Sequence, residues 1–151
     1  MIRRKVIFLS LSLLFFACGN GTKSPDPFQL QRMTVVRERL KQELGEKYHQ
    51  AIPEATEQQL ERGGQLYARL CAPCHGPRGK GNVKDADRLV GNPTDFTDPQ
   101  QATFFSEQAR LYIIRKGVKD TPMLAWENVL SNDDIMAVYV YVRSLVNSTQ
   151  R

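Results

Sequence analysis

The stretch Cys71-Ala72-Pro73-Cys74-His75-Gly76 decides how the rest of the chain reads. Two cysteines separated by two residues, with a histidine directly after the second, form the C-x-x-C-H pattern of c-type haem attachment. The spacing has a physical reason. Cysteines three apart lie on about one helical turn, so both sulfurs can bond the two vinyl groups of a single porphyrin. The histidine that follows is then held against the iron. Two other chemistries use paired cysteines. A thioredoxin-type dithiol would follow a strand in a βαβ unit, and no such pattern surrounds Cys71. A zinc site would need a second pair of ligands, but Cys18 lies 53 residues upstream of Cys71 and His49 is the only other histidine.

Working outward, Thr56-Glu57-Gln58-Gln59 has the form of a capping box. Leu60, Gly63, Tyr67 and Leu70 follow at helical spacing, which predicts a helix from Glu57 to about Leu70 that delivers Cys71 at its end. Beyond His75, Gly76 to Asn82 and Gly91 to Thr94 are loop sequences. A second helix is expected over Glu107–Lys116, with Ser106 as N-cap and Gly117 just past its end. The last helix starts after Ser131, with Asp133 and Asp134 in its first turn and Ile135, Val138, Val142 and Leu145 on its inner face. No alternating stretch reads as a strand, so the fold class is all-α, helices and long loops around one cofactor.

Haem iron needs a second axial ligand or an open position. The candidates are Met33, Met123, Met136 and His49. Pro122 keeps the stretch before Met123 extended, and 48 residues after His75 suffice for the chain to pass around a porphyrin. Met136 sits among Ile135, Ala137 and Val138, a packing context. Met33 belongs to an upstream segment, and His49 to a helix end. Histidine and thioether together favour ferrous iron and close it to oxygen and peroxide, which suits outer-sphere electron transfer rather than catalysis.

The chain has 151 residues, 41 % of them apolar and 25 % charged, a globular composition of one domain with an appended segment. Its net charge of +5 is uneven. Residues 54–147 carry 11 basic and 12 acidic side chains, so the folded part is near neutral and no nucleic-acid stripe is present. Arg78, Lys80, Lys84 and Arg88 follow the cysteine motif, and Arg115, Lys116 and Lys119 precede Met123. Asp85, Asp87 and Asp120 dilute both groups, which reads as a solvated surface more than as a steering patch.

At the start, Arg3, Arg4 and Lys5 precede an apolar run, Val6 to Phe16, interrupted only by Ser10 and Ser12. Eleven helical residues reach about 16 Å, well short of a bilayer core of about 30 Å, so residues 1–17 read as a secretory signal. Leu14-Phe15-Phe16-Ala17-Cys18 resembles a bacterial lipoprotein signal, which implies lipidation of Cys18 and attachment to the outer side of a membrane in the cell envelope. This also accounts for an odd cysteine count, with one thiol for lipid and two for haem. Residues 18–53 form a tether: Gly19 to Pro27 is a linker, and 28–50 an amphipathic helix whose stripe is Met33, Val36, Leu40, Leu44 and Tyr48. That helix is a spacer lifting the domain away from the lipid, or it packs on the domain's own surface; the alternative is a docking element for a partner complex. Residues 148–151 are a tail.

Residues 54–147 resemble class I, mitochondrial-type, bacterial cytochromes c. Gly63, Tyr67 and Cys71 match that family's spacing of glycine, aromatic and first haem cysteine; Cys74, His75 and Gly76 match its attachment motif. Thr121-Pro122-Met123 with Trp126 resembles the axial-methionine loop, and Leu130 to Leu145 the C-terminal helix; Leu124 stands where relatives often carry proline. The resemblance implies that the first and last helices cross through Gly63 and Tyr141. It implies one covalent haem c with His75 and Met123 as iron ligands, and a loop-proline carbonyl, from Pro93, orienting the histidine. Tyr67, Trp126 and Tyr141 are expected as core aromatics. The expected function is single-electron transfer between respiratory or photosynthetic complexes through redox partner proteins. The alternative is a permanent haem c subunit of a membrane oxidoreductase complex. A haem sensor, a peroxidase-like enzyme and a dithiol oxidoreductase are further alternatives.

Overall fold

The computed structural model describes residues 27–83 and 93–146; the signal, Cys18, Lys84, Asp85, Asp87, Arg88 and the tail at 148–151 lie outside them. Among the described residues six helices follow in order: α1 Pro27–Leu44, α2 Glu57–Leu70, α3 Ala72–His75, α4 Pro99–Ala102, α5 Glu107–Lys116 and α6 Asn132–Ser144, with a 3-10 turn at Gly45–His49 after α1. No strand occurs among the described residues.

The three longer helices of the folded part begin where their caps dictate. The Thr56 hydroxyl accepts the Gln59 amide at 3.2 Å, and the Gln59 side chain accepts the Thr56 amide at 3.0 Å, closing the box reciprocally. Ser106 and Ser131 accept the amides of Ala109 and Asp134 at 3.2 and 3.1 Å. Gly117, at φ 70°, ends α5 in the left-handed region.

α2 and α6 cross in close contact. A Cβ on Gly63 would stand 2.0 Å from the Ala137 carbonyl oxygen and 2.8 Å from Tyr141 Cβ, so only glycine lets the two backbones meet here. Around the crossing, Leu66 and Tyr67 of α2 bury against Val138, Val142 and Leu145. The Tyr67 and Tyr141 rings meet with centroids 5.3 Å apart. α6 buries more than the expected face: Ala137, Tyr139 and Val140 are also inside. The reason is that α6 is covered twice, by α2 on one side and by Ile52 and Leu111 on another.

A polar clamp ties the chain before α2 to α5 and α6. Glu107 accepts from the Ile52 amide at 2.8 Å, the Tyr139 hydroxyl at 2.9 Å and Arg143 Nη1 at 3.0 Å. Arg143 also donates to the Ile52 and Pro53 carbonyls at 3.0 and 2.8 Å. Burial works to raise the Glu107 pKa, but the Ile52 amide, Arg143 and Tyr139 together hold it below the ordinary glutamate value.

α1 lies along α5. Leu40 and Tyr48 bury against Ala109, with Val36, Leu44, Phe105 and Tyr112 around them. The Tyr112 hydroxyl donates to Glu43, and the Arg37 guanidinium sits 4.4 Å from the Phe104 ring centre. The α-helix stops at Leu44 rather than running on to residue 50, because Gly45 turns the chain at φ 53°.

Two outcomes follow. Gly63→Ala must push α2 and α6 apart, at about 3 kcal/mol or more, whereas Gly64→Ala meets only the flexible Tyr141 ring at 3.0 Å and stays within about 1 kcal/mol. Thermal unfolding of the two variants checks the contrast. A carboxylate whose folded pKa is depressed adds stability above its ordinary pKa and loses it as pH falls through the folded value. Glu107→Gln therefore lowers stability near neutral pH by about 1–3 kcal/mol, and it flattens the stability loss below the ordinary glutamate range in urea titrations across acid pH.

Candidate functional site

The end of α2 passes straight into a single turn of helix. The Cys71 amide donates to the Tyr67 carbonyl at 2.9 Å, and the amides of Cys74 and His75 both return to the Cys71 carbonyl, at 3.1 and 2.8 Å. Pro73 falls in the first turn of α3, where a missing N–H costs nothing. Cys71, Cys74 and His75 therefore share one turn, with Cys71 half-buried and Cys74 exposed.

The loop after His75 folds back on this turn. The Tyr67 hydroxyl donates to the Gly76 carbonyl at 2.8 Å, and the Gly81 amide donates to the His75 carbonyl at 2.9 Å. Gly81 sits at φ 66°, where an added Cβ would stand 2.2 Å from the Pro93 carbonyl oxygen. The sequence-based expectation set the Pro93 carbonyl on this histidine; in the structure that carbonyl lies close to Gly81, and the backbone group that acts on the buried His75 ring is that of the next residue, Thr94. The imidazole also stacks on Phe96, with ring centroids 4.7 Å apart and planes 24° apart.

Burial sets the electrostatics. It lowers the His75 pKa to about 4, against a small opposing contribution from the Thr94 backbone, so the imidazole is neutral with its lone pair free near pH 7. Burial, with help from the neighbouring Cys74, pushes the Cys71 thiol up to about 11. A dithiol oxidoreductase needs an acidified, reactive thiolate, the reverse of this setting. Among the described residues no group of three or more His, Cys, Asp or Glu side chains gathers to hold a metal ion.

Met123 belongs to a second loop, folded onto the end of α5. The Val118 amide donates to the Met123 carbonyl at 2.9 Å, and the Thr121 hydroxyl both donates to the Val118 carbonyl at 2.8 Å and accepts the Met123 amide at 3.2 Å. The amides of Trp126 and Glu127 donate to carbonyls at the end of α5, which anchors the far side of the loop. Asp120 takes the left-handed conformation, φ 61°, at the tip. Of the other ligand candidates, Met136 packs on the core, His49 is exposed beside Tyr48, and Met33 is half-buried on α1. Phe96 escaped the sequence reading, and Thr121 entered it only as part of the methionine loop, without its hydrogen bonds. Phe96 left a trace there, as the one aromatic in the loop between Pro93 and Asp98.

The residues fit a covalently held haem. Two thiols stand one turn apart, next to a neutral, buried imidazole, and a hydrogen-bonded loop carries a half-buried thioether. A helical domain built this way is of the haem c-binding class. Residues 58–142 match the family model described as cytochrome c oxidase, cbb3-type, subunit III. The chain belongs to this family, as a class I monohaem cytochrome c that binds one haem c covalently. It is 34 % identical over 86 residues to cytochrome c6 of Euglena gracilis, covering 54 % of this chain and 90 % of that protein. A solved structure, the Kuenenia stuttgartiensis reducing HAO-like protein complex Kustc0457/Kustc0458, is similar at a TM-score of 0.53 and 26 % identity. The match covers 68 % of this chain but only 54 % of that one, so the chain spans about half of its structural relative.

Thr121→Val removes both hydrogen bonds that brace the methionine loop. The amides of Val118 and Met123 should then exchange with solvent roughly tenfold faster, in line with the loss of about 1–2 kcal/mol, while amides of α6 keep their rates. Hydrogen-exchange mass spectrometry reads both.

Proposed function

We propose that Cys71 and Cys74 hold the haem through thioether bonds, that His75 and Met123 are its axial ligands, and that the chain carries single electrons. The observation that carries this reading is the single turn of α3, which presents two thiols and a neutral imidazole together. The bound haem supplies one reversible ferric–ferrous couple. The protein's own residues do the rest. α2 delivers the cysteines, burial keeps His75 unprotonated, and the Thr121-braced loop presents Met123 as a soft donor that favours the ferrous state. With His75 and Met123 both holding the iron, no position would be left open to a substrate, and the couple would exchange electrons without bond-making. This supports a carrier rather than an enzyme.

We further infer that the chain is tethered by lipid on Cys18 at the outer face of a bacterial membrane and exchanges electrons with respiratory or photosynthetic complexes. The charged–apolar–small order of residues 3–18 supports this reading. No described helix is long and apolar enough to cross a membrane. The packing of α1 on α5 supports reading it as a segment seated on its own domain rather than as a docking element. The second reading, a permanent subunit of an oxidoreductase complex, draws support from the matched family's description and from the complex that contains the structural relative. Phe28 and Val35, exposed at 73 % and 65 % on α1, would be its docking side chains. Purification in mild detergent separates the two: comigration with large subunits at fixed ratio supports the second reading, and its absence supports a free carrier.

Optical spectra of the matured protein test the ligand set. The wild type should show haem c absorption and, when oxidised, the weak red-edge band of a sulfur–iron bond. Met123→Ala should keep the haem and lose that band, with a lower reduction potential. Retention of the band would transfer the ligand role to Met33 or Met136.

A further inference from the structure

Helix α1 carries two stripes, and its packing on α5 uses only one. Val36, Leu40 and Leu44 lie on the side that meets α5. The residues directly before Gln29, Met33, Val36 and Leu40 are Phe28, Arg32, Val35 and Arg39. They recur at spacings of four, three and four, so they form a second line about 100° around the helix from the first. All four are exposed, Phe28 at 73 % and Val35 at 65 %.

The charge on this helix is of one kind. α1 holds four basic and two acidic side chains, whereas residues 54–147 hold 11 and 12. Both acids are engaged: Glu43 accepts from the Tyr112 hydroxyl of α5, and Glu38 is paired with Lys41 at 3.0 Å and Arg37 at 3.4 Å. Apolar side chains interleaved with arginines suit a bilayer interface, where the apolar groups enter the acyl boundary and the guanidinium groups meet phosphate. The chain length points to the same occupant. Cys18 stands nine residues before Pro27, and nine residues span at most about 30 Å. A lipid on Cys18 therefore keeps the start of α1 close to a bilayer at all times. α1 is not apolar enough to cross that bilayer, so its place is on the surface.

We propose that α1 rests on the membrane surface, with the Phe28–Arg32–Val35–Arg39 stripe seated among anionic lipid headgroups. This placement rests on the lipidation of Cys18. Because Leu40 and Tyr48 bury against Ala109 of α5, a seated α1 also orients the haem domain above the membrane instead of leaving it to swing on its tether.

The test is photolabelling of the mature holoprotein in vesicles of equal parts phosphatidylcholine and phosphatidylglycerol, doped with a lipid that carries a diazirine at its headgroup. Peptide mass mapping should place lipid adducts within residues 28–39. Replacing Phe28 and Val35 together by Asp, or Arg32 and Arg39 together by Gln, should lower that labelling roughly tenfold, as should vesicles of phosphatidylcholine alone. All four positions are exposed, so haem c absorption should stay unchanged in both variants. An unlabelled α1, or labelling that neither pair of substitutions moves, overturns the proposal. Adducts in native membranes that join α1 to a protein subunit, with none to lipid, overturn it in favour of a docking helix. The mass of the mature N-terminus reports the underlying reading separately. A chain without lipid on Cys18 sinks the tether and this placement together, whereas a lipidated chain with α1 unlabelled sinks only the placement.

Discussion

Everything in this domain is referred to one close approach, that of α2 to the Ala137 carbonyl at Gly63. Because no side chain separates the helices there, α2 has a single position relative to α6. Tyr67, one turn further on, is then buried and can donate from its hydroxyl to the Gly76 carbonyl while its own carbonyl receives the Cys71 amide. The haem motif is thus placed by a helix crossing eight residues before Cys71, and not by the loop that follows. The Glu107–Arg143 clamp works on the opposite side of α6, holding the entry to α2 and the start of α5 against the same helix.

The local chemistry follows from burial more than from charge. A half-buried pocket edge turns His75 into a neutral donor and Cys71 into a poorly ionised thiol. Both effects point the same way: they suit residues that hold a cofactor and disfavour residues that attack a substrate. The basic side chains near the site add little to this picture. Lys116 is paired with Glu127 at 2.8 Å and Arg115 with Asn132 at 2.7 Å, as expected of a solvated surface.

Much of this was legible in the residues because it is local. Thr56, Ser106 and Ser131 cap helices through bonds made within three residues, so α2, α5 and α6 start where the text says they do. The C-x-x-C-H turn is equally local. The Gly63 crossing was legible only through resemblance, since no rule of periodicity says which glycine faces which carbonyl. α4, a single turn capped by Asp98, is local but too short to show a period. Two further features depend on contacts distant in sequence and could not be read. Burial of Tyr139 and Val140 arises because α6 is covered from two sides. The Phe96 ring stacks on His75 from a separate loop, a contact that no local rule names.

The most direct measurement is the mass of the mature chain together with the alkylation state of its cysteines. The account predicts one added haem per chain, retained after denaturation, with Cys71 and Cys74 both refractory to thiol reagents. A chain that denatures to the bare polypeptide mass with both thiols open to alkylation would contradict it.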